Sequence, residues 1–162
     1  MDYDSAIKRS EEHRPKMMMK KIRVLYNIGQ LSVGGSERQL LEFVKHVDST
    51  RFEVIVCVLS RSHELKGEFE KYCEVVVLGK RMPVDFTRIA RLRKLMRERD
   101  VDVAHNDLST ANYWGTIAAK LEGKPSIVSA KGDVISGRFY NRFLYKPICQ
   151  LADLIVVNSR FT

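Results

Sequence analysis

The chain has 162 residues, a length that suits one domain with a sizeable core. Hydrophobic residues make up 44% of it, and no apolar run is long enough for a transmembrane helix. The net charge of +8 directs attention to anionic partners: phosphorylated ligands, acidic lipid surfaces or nucleic acid.

Residues 1–19 are charged and contain no apolar stretch of signal-peptide length, since Met17-Met18-Met19 is too short. They read as a disordered extension, and residues 20–162 as the folded domain. Short apolar, β-branched runs then alternate with helical patterns. Strands are expected at Ile22–Ile28, Val54–Leu59, Glu74–Leu78, Val101–His105, Ser126–Ala130 and Leu154–Asn158. Helices are expected at Ser36–Val47, Glu64–Tyr72, Phe86–Arg99, Thr110–Leu121 and Phe139–Leu151. This alternation implies βαβ units and a parallel sheet with helices on both faces, an α/β fold. Runs such as Val75-Val76-Val77-Leu78 fit strands covered on both sides.

The first strand leads into Gly34-Gly35-Ser36-Glu37 and then a helix. Small residues let the backbone approach a ligand, and a helix start aims N–H groups and a positive dipole end at it. Ser36 is expected to cap the helix, with Gln39 completing a capping box. The loop lacks the lysine of a P-loop, because Gly35 occupies that place, and it lacks the glycine spacing of a dinucleotide fingerprint. An ordinary capped βα turn is the competing reading.

Along the third helix, Phe86, Ile89, Leu92, Leu95 and Met96 share one side. Arg88, Arg91, Arg93, Lys94, Arg97 and Arg99 share the other. That basic side is either a solvated face or a surface for an anionic membrane. No nucleic-acid module is present, and nucleic acid is not expected as a partner. Cys57, Cys73 and Cys149 are widely spaced and odd in number, with no metal-ligand spacing. They suggest a reducing, cytoplasmic setting, peripheral at the inner face of the membrane if the basic side is used. Cys57 reads as a core residue.

His105 is expected to end the fourth strand, where a side chain can face the ligand crevice of an open α/β sheet. It could serve as a hydrogen-bond partner or proton carrier, or pack beneath the next loop. Asp107 reads as an exposed acceptor or a helix cap. Lys80 and Arg81 follow the third strand, Lys131-Gly132-Asp133 the fifth, and Arg138 and Arg142 lie near the fifth helix. Parallel strands would gather them into a basic rim at one sheet edge.

The stretch Ile28-Gly29-Gln30-Leu31-Ser32-Val33-Gly34-Gly35-Ser36-Glu37-Arg38 resembles the opening of family 4 glycosyltransferases. So do Asp102-Val103-Ala104-His105, Ala111-Asn112, Gly115, Ala118-Ala119-Lys120-Leu121, Lys124–Ser129 and Ala152–Ser159. The resemblance implies the N-terminal, acceptor-side half of a GT-B architecture built on a Rossmann-like sheet. The nucleotide-sugar domain, with its paired glutamates, would lie in a missing C-terminal domain or a partner subunit. It implies sugar transfer with retention from a nucleotide-diphosphate sugar to a glycan, lipid-linked or small-molecule acceptor. No metal or other cofactor is implied.

On that pattern Gly34, Gly35, Ser36 and Glu37 face the donor diphosphate, and His105 and Asp107 line the reaction centre. Lys80, Asn112, Lys131, Arg138 and Ser159 fall on the acceptor side. Many members carry a second histidine two residues after the first, where this chain has Asp107. The alternative is a non-catalytic anion-binding or membrane-surface module that needs a partner subunit.

Overall fold

The computed structural model describes residues 20–79, 85–130 and 146–157. Strands β1 (Ile22–Ile28), β2 (Phe52–Val58), β3 (Glu74–Val77), β4 (Val103–Asp107), β5 (Ser126–Ala130) and β6 (Leu154–Val157) form one sheet in the order β3-β2-β1-β4-β5-β6. Every pairing in it is parallel. Helices α1 (Gly35–His46), α2 (Lys66–Phe69), α3 (Thr87–Glu98) and α4 (Ser109–Leu121) connect the strands, and residues 146–151 are helical before β6. The expected α/β sheet with helices on both faces is the observed one.

Side-chain alternation divides the core. Val24, Tyr26 and Ile28 of β1 join Val54, Val56 and Val58 of β2 against Leu40, Leu41 and Val44 of α1 and Phe69 of α2. Leu25, Ile55 and Cys57 point the other way, against Leu92, Leu95 and Met96 of α3 and Ala111, Ala118 and Ala119 of α4. Burial pushes the Cys57 thiol up to about 12, so it behaves as the small core residue expected of it.

One polar seam interrupts this apolar interior. Asn27 and Asn106 are register partners on β1 and β4, both fully buried. Asn27 Nδ2 donates to Asn106 Oδ1 at 2.8 Å, and Asn106 Nδ2 donates to Ser126 Oγ at 3.0 Å. Ser126 Oγ in turn donates to Thr116 Oγ1 at 3.1 Å. Gly115 of α4 lies directly over the pair. A Cβ there would overlap the Asn106 side-chain oxygen and stand 3.0 Å from Asn27 Nδ2. Glycine inside a helix costs roughly 0.5–1 kcal/mol against alanine, and here it admits the close approach of helix to sheet.

Several boundaries differ from the sequence expectations. β4 starts at Val103 because the Asp102 carboxylate accepts the Arg23 N–H at 2.8 Å. It runs on to Asp107 because both neighbouring strands continue the ladder, so His105 lies within the strand and not at its end. α2 is a single short turn of helix around Gly67. Ser36 does not cap α1. The N-cap is Gly34, which has no side chain to offer, and no side-chain cap is made. The expected helix Phe139–Leu151 lies only partly within the described residues. At the start of α3 the expected faces are exchanged: Phe86 is 71% exposed and Arg88 only 3%. The turn ahead of α3 holds Phe86 at the N-cap, so helical spacing does not yet govern where its ring goes.

β6 is exposed at all four positions, and a side-chain clamp holds it. The Asp153 carboxylate accepts from Lys120 Nζ at 2.7 Å and from the Ser126 N–H at 2.7 Å.

Replacing Gly115 by alanine is expected to displace Asn106 and cost about 1–3 kcal/mol of stability, read from the denaturant midpoint. Gly35→Ala, whose added Cβ meets nothing, serves as the neutral control. Equal midpoints for the two variants would contradict the seam's role.

Candidate functional site

The strand order reverses between β1 and β4. The chain leaves β1 toward α1 and β2, and leaves β4 toward α4 and β5, so the two loops diverge above that seam. Such a divergence opens a crevice at the carboxyl ends of the strands. Ile28 and Asp107 are the register partners at its floor.

The loop on the β1 side is fixed by its backbone. The Leu31 N–H donates to Ser62 O and the Leu65 N–H to Leu31 O, each at 3.0 Å, while the Leu31 side chain is buried. Glu37, in the first turn of α1, folds back into this loop and is 4% exposed. Ser32 Oγ donates to its carboxylate at 3.4 Å. Gly34 suits that approach, since a Cβ would overlap Glu37 Oε2 and the carboxylate would have to shift. Gly35 faces open space. The first turn of α1 therefore carries its own carboxylate at the positive helix end and leaves room beside Gly35.

On the β4 side, His105 and Asp107 share a face with Tyr26. Tyr26 Oη donates to Asp107 Oδ2 at 3.0 Å, and the Tyr26 and His105 rings lie 4.4 Å apart. His105 Nε2 and Ser129 Oγ share a 2.9 Å hydrogen bond. Asp107 is 0% exposed, which corrects the expectation of an exposed acceptor. Burial, followed by the Asp107 charge, pushes the Tyr26 hydroxyl far above its usual range, so Tyr26 stays protonated as the donor.

Leu108 follows at φ 69, ψ 154, a backbone region that is essentially glycine-only and costs of order 1–3 kcal/mol. That strain sits at the mouth of the crevice, held in place by Leu108 packing on the α1-side core. Asn112 of α4 is buried, and its Nδ2 donates to Ser129 O at 3.1 Å. It ties α4 to β5, the strand that carries His105's partner Ser129.

Gly34, Gly35, Glu37, His105, Asp107 and Asn112 are thus placed at or under one crevice. Ser36 is on the first turn of α1. Lys80, Lys131, Arg138 and Ser159 lie outside the described residues, as do Arg81 and Arg142. Tyr26, Ser129 and Leu108 were not singled out from sequence. Counting alternate positions in β1 would have placed Tyr26 on one face with Ile28, but only the β1–β4 pairing sets it beside Asp107. Among the described residues no helix is long and apolar enough to cross a membrane.

Tyr26→Phe leaves the buried Asp107 carboxylate without this donor and is expected to cost about 1–3 kcal/mol at neutral pH. A hydroxyl whose folded pKa is raised contributes stability that is complete below its unfolded value of 10.0 and is lost as pH rises above it. Chemical unfolding across pH 9–11 should therefore show a steeper alkaline loss in the parent than in Tyr26→Phe. Parallel curves would contradict the Tyr26–Asp107 assignment.

Solved structures share this fold. The chain matches HepE (Alr3699) from Anabaena in complex with UDP at 19% identity and TM-score 0.67, covering 87% of this chain and 38% of that one. It matches MurG from Acinetobacter baumannii at 13% identity and TM-score 0.65, covering 87% of this chain and 43% of that one. The Staphylococcus aureus MnaA–UDP structure aligns at 16% identity and TM-score 0.63, over 88% and 40%. The chain therefore spans about two fifths of the length of these proteins. No curated protein sequence matches it significantly. The sequence model described as Glycosyltransferase Family 4 matches residues 33–162, and the chain belongs to that family.

Proposed function

We propose that the chain is the acceptor-side domain of a glycosyltransferase that moves a sugar, with retention, from a nucleotide-diphosphate sugar to an acceptor hydroxyl. The observation that carries this reading is the open first turn of α1 beside Gly35, facing the same crevice as His105. A leaving diphosphate gains negative charge as the glycosidic bond breaks. Helix-end N–H groups offer it donors that need no rearrangement. The HepE structures with UDP and with UDP-glucose support a nucleotide-sugar donor for this fold.

The residues divide by what they can touch. Gly34, Gly35 and Ser36 present backbone to the diphosphate. The buried Glu37 carboxylate would repel a phosphate at close range, so it shapes the loop and stays out of the phosphate shell. His105 is the side chain offered to the acceptor, with Ser129 holding one ring nitrogen. Asp107, fully buried, is a positioning residue that acts through Tyr26. Asn112 likewise positions Ser129 through its carbonyl. Lys80, Lys131, Arg138 and Ser159 follow strand ends in sequence and are assigned to the acceptor side. A further domain, on this reading, binds the nucleotide sugar and closes the cleft.

Gly35→Val tests the cradle in a protein that joins this chain to its nucleotide-sugar domain. A Cβ added at Gly35 meets no protein atom, so the melting temperature should hold. UDP affinity and kcat/KM should fall by about tenfold or more. Unchanged UDP binding would remove the diphosphate assignment. The anomeric configuration of the product, read by proton coupling, tests retention.

A further inference from the structure

A second charged corner lies where β3 passes the chain to α3. Arg88 is 3% exposed, yet its side chain donates no hydrogen bond among the described residues, and its Nε is fully buried without a partner there. The neighbouring Asp85 carboxylate is engaged elsewhere: Arg91 Nη2 donates to it at 2.6 Å and Thr87 Oγ1 at 2.5 Å. Arg91 also donates to Leu78 O at 2.5 Å, tying α3 back to the end of β3. Among the described residues, two guanidinium groups and one carboxylate leave one positive charge in excess. Burial lowers the Arg88 pKa, with Asp85 opposing, which is the sign of a cation held in too little water.

The position compounds that cost. Arg88 sits in the first turn of α3, a helix with no acidic residue in that turn and no side-chain cap. A cation at the positive end of a helix is unfavourable. An uncompensated buried charge is usually improved upon by an apolar side chain of similar volume. A bound oxyanion relieves these strains at once, accepting from the guanidinium at the positive end of α3.

Aromatic rings frame the corner. The Arg88 guanidinium lies 5.8 Å from the Trp114 ring centre. Phe86 packs edge-on to Trp114 at 5.8 Å and 86° while remaining 71% exposed. A cation backed by an aromatic pair offers a charged end and a flat face to one ligand.

We propose that Arg88, the first turn of α3 and the Phe86–Trp114 pair form a phosphate subsite, separate from the α1 cradle, that holds the anionic end of the acceptor. This rests on the acceptor-side reading above. The phosphate belongs either to a soluble sugar phosphate or to a lipid-linked head group.

Trp114 is the only tryptophan in the chain, so its indole N–H gives one isolated nuclear magnetic resonance signal. Titration with inorganic phosphate should shift that signal saturably, and a neutral hexose should not. Arg88→Lys should weaken the phosphate response about tenfold, and Arg88→Met should abolish it. Arg88→Met should also leave the melting temperature unchanged or raised, as an uncompensated buried cation requires. A tighter response to a hexose phosphate assigns a soluble acceptor. A tighter response to phosphatidic acid vesicles than to phosphatidylcholine vesicles assigns a lipid-linked one.

No saturable phosphate response, an equal response in Arg88→Met, or a melting temperature lowered by that substitution would overturn the subsite. A phosphate response at Trp114 in a protein whose Gly35 ignores UDP keeps the subsite and removes the glycosyltransferase reading. The reverse pattern removes the subsite alone.

Discussion

The β1–β4 seam is the constraint on which the rest of the structure depends. Asn27 and Asn106 meet there in register, and Gly115 lets α4 close over them. Buried amides are stable only when paired, so this contact favours one register over its neighbours. A slip of one residue would turn Asn106 toward α1 and Asp107 toward α4. The divergence of the two loops above the seam follows from that register, and so does the placing of His105 and Asp107 on the α1 face.

Charge is distributed unevenly around the crevice. Glu37 and Asp107 are both buried carboxylates, one at a helix start and one satisfied by Tyr26. Each holds a loop or a ring in place and is withdrawn from solvent. Asp85 accepts from Arg91 and Thr87 and anchors α3. Arg88 is the exception, a buried cation whose side chain has no hydrogen-bonded anion among the described residues. The strained backbone at Leu108 belongs to the same pattern, since it is tolerated beside the crevice and nowhere in the sheet.

Much of this was legible in the sequence. β1 and β5 were read at their observed ends because turn residues or a glycine loop bound their apolar runs. The four central helices were located by their apolar spacing, as was the parallel character of the sheet. Three features escaped for physical reasons. The cap of α1 is Gly34 and not Ser36, because the helix already starts at Gly35 and the Glu37 side chain folds back against Gly34. Asp107 is buried where the sequence suggests an exposed acceptor or a helix cap, because its surroundings include Tyr26, a residue 81 positions away. Arg88 departs from the basic side, solvated or membrane-facing, that the sequence suggests, because periodicity continues a helix pattern through a first turn whose entry angle it does not contain. Polar residues inside apolar strands, Asn27 and Asn106 above all, were a usable signal for the seam that went unused.

On the reading proposed above, the α1 helix start receives the donor diphosphate at the β1–β4 crevice. A crystal structure of the protein that carries this chain, soaked with a nucleoside diphosphate, should then show a β-phosphate oxygen within about 3 Å of the Gly35 backbone nitrogen, with His105 facing the vacant sugar side. A diphosphate seated elsewhere, with the first turn of α1 untouched, would contradict it.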